Sequence, residues 1–108
     1  MYLAMNRFTV STENAEEFEG RWLKRESRLK EVDGFVEFHM LKSHVRDDGT
    51  ILFASHTVWK DEEAFLAWTK SDQFRNSHKS SGESRKLHEG YAQFEGFTSI
   101  QRIAMADA

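Results

Sequence analysis

The chain has 108 residues, with a hydrophobic share of 39%, an aromatic share of 13% and no cysteine. That is apolar bulk for one core, too much for a disordered chain, and it excludes disulfides and thiolate metal sites. A formal net charge of −3 gives neither the basic field that nucleic acid asks for nor a polybasic tract for an anionic membrane surface.

No apolar run reaches the roughly 18 residues of a membrane-spanning helix. The sequence opens without the basic segment and apolar run of a signal peptide. The expectation is one cytoplasmic domain over residues 1–108.

Residues 2–10 predict a strand. Its even positions are Tyr2, Ala4, Asn6, Phe8 and Val10, and its odd positions are Leu3, Met5, Arg7 and Thr9. Alternate residues of a strand share a face, so Asn6 stands on the more apolar one. Asn is depleted in strands, and burying an amide without partners costs roughly 1–3 kcal/mol. The residue therefore needs a purpose, either bridging neighbouring backbone or serving something bound.

"STENAEEF" predicts a helix start, with Asn14 as cap and Glu17 as its capping-box partner. Phe18, Trp22, Leu29 and Val32 form the apolar stripe, and Asp33-Gly34 ends the helix. "FVEFHMLKSHV" is a second strand and "ILFASHTVWK" a third, joined as a hairpin by "RDDGT" with Gly49 in the turn. In the second strand Phe35, His39 and Leu41 are expected to oppose Val36, Phe38 and Met40.

Asp61 caps "EEAFLAWTK", whose Ala64, Phe65 and Trp68 share a face. Ser71 caps a short helix through "DQFRNSHK". Residues 80–90 read as a polar loop, and "YAQFEGFTSIQRI" as the last strand, with Gly96 a bulge.

Strand, helix, strand, strand, helix, strand is the ferredoxin-like split βαβ order of an α+β fold. Two helices cover one face of such a sheet. Strands apolar on both faces need a second cover, and a second copy of the sheet is the simplest, giving a homodimer whose sheets close into a barrel.

His39, His44 and His56 lie on strands without metal-ligand spacing, and His88 lies in the polar loop. His78 ends the short helix just before that loop. Taken alone it reads either as a cation at a helix C-terminus or as an imidazole pointed into a covered pocket. Trp68 alone reads as core. No catalytic triad, paired-carboxylate motif, phosphate loop or nucleotide fingerprint is visible.

"MNRFTV" together with "TVWKDEEAFLAWTKSDQFRNSHK" resembles the IsdG-type haem-degrading monooxygenases, within the wider antibiotic-biosynthesis monooxygenase family of dimeric ferredoxin-like barrels. The specific letters are the early "NR", the "TVW" strand end, "AF..W.KSD.F" and the closing "HK". The resemblance implies an active site of Asn, Trp and His, falling here on Asn6, Trp68 and His78.

It further implies haem as both substrate and cofactor, dioxygen, and opening of the macrocycle with release of iron. His78 would be the proximal iron ligand. Asn6 would turn its amide donors to the oxygen side, and Trp68 would press the porphyrin out of plane. No flavin or nicotinamide motif is present, so electrons would come from an external donor, a partner reductase or a small reductant. Arg75, Lys79, Arg85 and Lys86 flank the pocket and carry no assignment.

Two alternatives share the fold. A cofactor-independent monooxygenase acting on a quinol or polyketide needs no iron ligand. A non-catalytic haem carrier needs neither distortion nor an oxygen-side donor.

Overall fold

The structure is a computed structural model and describes residues 1–24, 28–71 and 89–105. In chain order the elements are β1 (Tyr2–Ser11), α1 (Thr12–Lys24), a 3-10 turn (Leu29–Glu31), β2 (Phe35–Val45), β3 (Thr50–Trp59), α2 (Glu62–Thr69) and β4 (Glu89–Thr98). The four strands form one antiparallel sheet in the order β2-β3-β1-β4. Each βαβ unit is thus split by the strand it straddles, the ferredoxin-like arrangement that the element order implied. Among the described residues no helix is long and apolar enough to cross a membrane.

Both helices lie on one face of the sheet. Register puts Tyr2 opposite Trp59 and Phe8 opposite Phe53, so the even residues of β1 and the odd residues of β3 share that face. Phe18 of α1 packs on Phe53 with ring centroids 4.9 Å apart. Phe65 of α2 packs on Tyr2 at 5.4 Å and on Trp59 at 5.9 Å.

The core has two parts. Val10, Ala15, Phe18, Ile51 and Phe53 form one, with Phe8, Trp22 and Met40 against it. Tyr2, Ala4 and Trp59 form the other, with Leu29, Val32, Phe35, Ala64, Phe65 and Trp68 against it.

The hairpin and α2 form for local reasons that the sequence carries. Gly49 takes φ +79°. Beside it Asp48 accepts from the Thr50 amide at 3.0 Å and the Thr50 hydroxyl at 2.6 Å. Those two bonds hold the Asp48 carboxyl below its ordinary value. Asp61 caps α2, its carboxylate accepting from the Ala64 amide at 2.8 Å.

Four expectations are corrected. First, α1 begins at Thr12, so Asn14 lies inside its first turn and is not the cap.

Second, the stripe from Phe18 to Val32 is not one helix. Phe18 and Trp22 serve the first cluster, while Leu29 and Val32 serve the second. Leu29, in the 3-10 turn, and Val32, just after it, pack with Trp59. Gly34 then passes against α2 at φ +84°, where any Cβ would collide with Ala64.

Third, β2 is irregular. Phe35 pairs with Trp59 but Glu37 pairs with Val58, leaving Val36 as the extra residue of a bulge. Phe35 therefore joins Phe38 and Met40 on the helix side, and Glu37, His39 and Leu41 share the other side.

Fourth, β4 runs from Glu89 to Thr98, and residues 99–105 form no strand. Gly96 pairs regularly with Ala4, and the register shift lies opposite Arg7 and Thr9 instead. Gly96 lacks a side chain for another reason: the Tyr2 hydroxyl occupies the place of its Cβ.

Candidate functional site

Across the helix-covered face the register sets Phe94, Asn6, Ser55 and Met40 in one row, from β4 to β2. The next row is Gly96, Ala4, Thr57 and Phe38. At the centre of these rows stand four small or medium side chains, Asn6, Ser55, Ala4 and Thr57. Ala4, Ser55 and Thr57 are buried and Asn6 is half-buried.

Aromatic rings rise on either side. On the α1 side Phe8 lies 5.4 Å from Phe18 and 5.9 Å from Trp22. Trp22 in turn stacks on Phe38 at 6.2 Å and 19°. On the α2 side Trp68 lies 5.3 Å from Trp59 and 6.3 Å from Phe65. Asn6 thus occupies a strip of low relief between Ala4 of the second cluster and Phe8 at the first.

The strip is polar at its centre. Thr57 spends its hydroxyl on the Ala4 carbonyl, 3.3 Å away. Among the described residues no hydrogen bond engages the Asn6 side-chain amide, and the half-buried residue leaves it open to water or to a bound molecule. A bridging role between neighbouring backbone groups would have shown such bonds. The indole N–H of Trp59, in a side chain with no exposure, likewise meets no acceptor among the described residues. Burial, with the Glu62 carboxylate second, raises the Tyr2 phenol above its ordinary value, so the hydroxyl over Gly96 stays neutral.

Of the three site residues expected from the sequence, two are placed here. Asn6 is on β1, with its amide on the helix side. Trp68 is on the same face of α2 as Ala64 and Phe65, half-buried against Trp59. His78 lies outside the described residues, as do Arg75, Lys79, Arg85, Lys86, His88 and the short helix expected after Ser71.

His39 and His56 stand on the opposite face, their rings stacked at 6.2 Å, and His39 hydrogen-bonds Glu37. Among the described residues no three acidic or histidine side chains are grouped to hold a metal ion.

Sequence reasoning missed Ser55 and Phe94, the neighbours of Asn6 in its row. Alternation puts Phe94 on a face with Gly96, but only the pairing of β4 with β1 sets that face beside the amide.

Comparison with known proteins adds a lineage to this geometry. Residues 1–80 match the family model described as antibiotic biosynthesis monooxygenase. A staphylobilin-producing heme oxygenase of Staphylococcus haemolyticus is 33% identical over 91 residues, covering 78% of this chain and 83% of that protein.

Among solved structures, the heme-degrader MhuD of Mycobacterium tuberculosis, with two hemes bound in its active site, superposes with a TM-score of 0.72. It is 21% identical and the match covers 96% of this chain and 100% of that one. A variant of SnoaB, a cofactor-independent oxygenase of Streptomyces nogalater, superposes with a TM-score of 0.66 at 23% identity, over 96% and 97% of the two chains. At these identities the two structures speak for the fold alone.

Proposed function

The chain belongs to the antibiotic biosynthesis monooxygenase family, and within that family we propose that it is a haem-degrading monooxygenase. The observation that carries the reading is the Asn6 amide. It has no hydrogen-bond partner among the described residues, and it stands in a strip between two aromatic clusters on the covered side of the sheet. The heme-oxygenase relative, similar over 78% of the chain, supports haem as what fills that strip.

The described residues fit such a group. A flat apolar macrocycle suits a low floor between aromatic walls, and its burial is favourable by about 25 cal/mol per Å² of apolar surface. Haem, when bound, would supply both the iron for dioxygen activation and the ring to be oxidised, with iron as a released product.

The chain's own residues do the rest. His78 would hold the iron. Asn6 would offer its N–H donors where negative charge develops, and being fixed on a strand it would need no reorganisation at the moment of reaction. Trp68, braced by Trp59 at 5.3 Å, would present a rigid edge against the macrocycle and shape how it sits. Electrons come from outside the chain, from a reductase or small reductant. The reading also takes residues 1–108 as one cytoplasmic domain working as a homodimer.

Adding haemin and a reductant to the purified protein tests it. Loss of the Soret band with release of iron is the expected result. A stable complex that resists reduction and oxygen would point to a haem carrier. The absence of any haem spectrum would point to a cofactor-independent oxygenase of this fold.

A further inference from the structure

β4 carries two phenylalanines that form a natural comparison. Phe94 and Phe97 are three residues apart and almost equally exposed, 49% and 44%. Phe97 pairs with Leu3, on the face that neither helix covers. Phe94 pairs with Asn6, on the face that both helices cover.

An exposed phenyl on an open face is ordinary. One on a covered face, beside an amide with no partner, is not accounted for by packing alone. Its ring lies parallel to that of Phe65, with centroids 5.6 Å apart and planes 5° from coplanar. It leans along β4 so that its tip would be 3.5 Å from a Cβ on Gly96. Phe65 is itself held between Tyr2 and Trp59, so Phe94 is the outermost ring of a rigid aromatic array.

We infer that Phe94 is a ligand-contacting residue. It extends the α2-side wall of the site onto β4 and meets the edge of a flat macrocycle lying over Asn6. The inference rests on the haem reading and adds to it a binding residue from the last strand. A ring already stacked on Phe65 loses little freedom when a ligand arrives, which favours contact at this position. Gly96 lies beside the same device, and its missing side chain leaves room for the Tyr2 hydroxyl next to the Phe94 ring.

The test uses zinc protoporphyrin, which is flat and has haem's ring but does not turn over. Its binding is read by quenching of tryptophan fluorescence. Phe94→Ala is expected to weaken binding about tenfold, the order of one aromatic contact together with its buried area. Phe94→Leu, similar in bulk but not flat, should fall between Phe94→Ala and the natural protein. Phe97→Ala should bind as the natural protein does.

Thermal melts of the three variants establish that each is folded, and Phe94→Leu carries the test if Phe94→Ala does not fold. Natural protein that binds while both Phe94 variants bind equally well overturns this inference alone. So does an equal loss in Phe97→Ala. Natural protein that fails to bind zinc protoporphyrin or haemin overturns the haem reading, and this inference with it.

Discussion

The two faces of β1 alternate residue by residue, yet they lead different lives. On the even face Tyr2, Ala4 and Val10 are buried beneath the helices, and Asn6 is the polar exception among them. The odd face has Leu3, Met5, Arg7 and Thr9, with Arg7 bound to Glu95 of β4 at 3.0 Å. Around them Leu41 and Phe97 remain 43% and 44% exposed. A polar residue on the second face is unremarkable, because water or an ion pair satisfies it. A polar side chain on the first face is set among buried and aromatic side chains, where covering it without a partner would cost free energy. Position, not residue type, is what makes Asn6 the proposed site residue and Arg7 a surface one.

The strongest way to break this contrast is through the histidines. His78→Ala is expected to abolish both the five-coordinate histidine–haem spectrum and turnover. His39 and His56, on the open face, should be replaceable by Ala without that spectral change, as should His44 and His88. If His39→Ala or His56→Ala removed the spectrum, the haem would be on the wrong face, and the reading of Asn6 would fall with it.

The next effect belongs to Asn6. Asn6→Ala should keep haem bound and lose turnover by about 10²–10³-fold, the usual worth of a preorganised donor near developing charge. The melting temperature of the haem-free protein should change little, since the amide makes no hydrogen bond within the described structure. A collapse of the fold in Asn6→Ala would instead identify a structural amide.

Much of this contrast was legible in the sequence, and the illegible parts have physical causes. Alternation along β1 put Asn6 on the apolar face, and Ala64, Phe65 and Trp68 announced the buried side of α2. The bulge at Val36 gave no warning, because "FVEF" offers an apolar residue in either parity, Phe35 in one and Val36 and Phe38 in the other, so a one-residue slip leaves little mark. The 3-10 turn at Leu29–Glu31 was hidden for a similar reason: the apolar spacing of a helical stripe runs on through it.

The site was harder. Asn6 and Trp68 are ordinary letters singly, and their joint meaning came from resemblance to a family. Ser55 and Phe94 required strand register, which pairs residues more than 40 positions apart in sequence. His78 lies outside the described residues, so its role stays a proposal.

Trp59 and Trp68 sharpen the contrast within the covered face. Trp59 has no exposure and braces the second cluster, so Trp59→Ala should cost about 3–5 kcal/mol of stability. Trp68 is only half-buried, and Trp68→Ala should cost less. Its distinctive effect should be on the ligand: haem that stays bound, becomes flatter and is degraded slowly, with Trp68→Phe between. Resonance Raman of the bound haem, set beside an unfolding curve, separates the roles. An unchanged out-of-plane signature in Trp68→Ala would refute the strain role even if activity fell.

The smallest effect on chemistry should come from the open face, and it tests what covers that face. Leu41, Phe97, Leu3 and Val58 share it with the stacked His39 and His56. Both helices are on the other side, so a second copy of the sheet is the proposed cover. Each 100 Å² of apolar surface buried there would contribute roughly 2.5 kcal/mol before the cost of association is subtracted. Leu41→Glu places a carboxylate on that surface, four residues from Glu37 on the same strand face. Burying it would require desolvation without an assigned partner, whereas leaving it in water costs little. Sedimentation should therefore show a dimer for the natural protein at micromolar concentration and a monomer for Leu41→Glu. Zinc protoporphyrin binding should change little, because the strip around Asn6 opens on the opposite side of the sheet. A natural protein that sediments as a monomer would remove the second copy from the proposal. A Leu41→Glu variant that stays dimeric would move the contact to another surface.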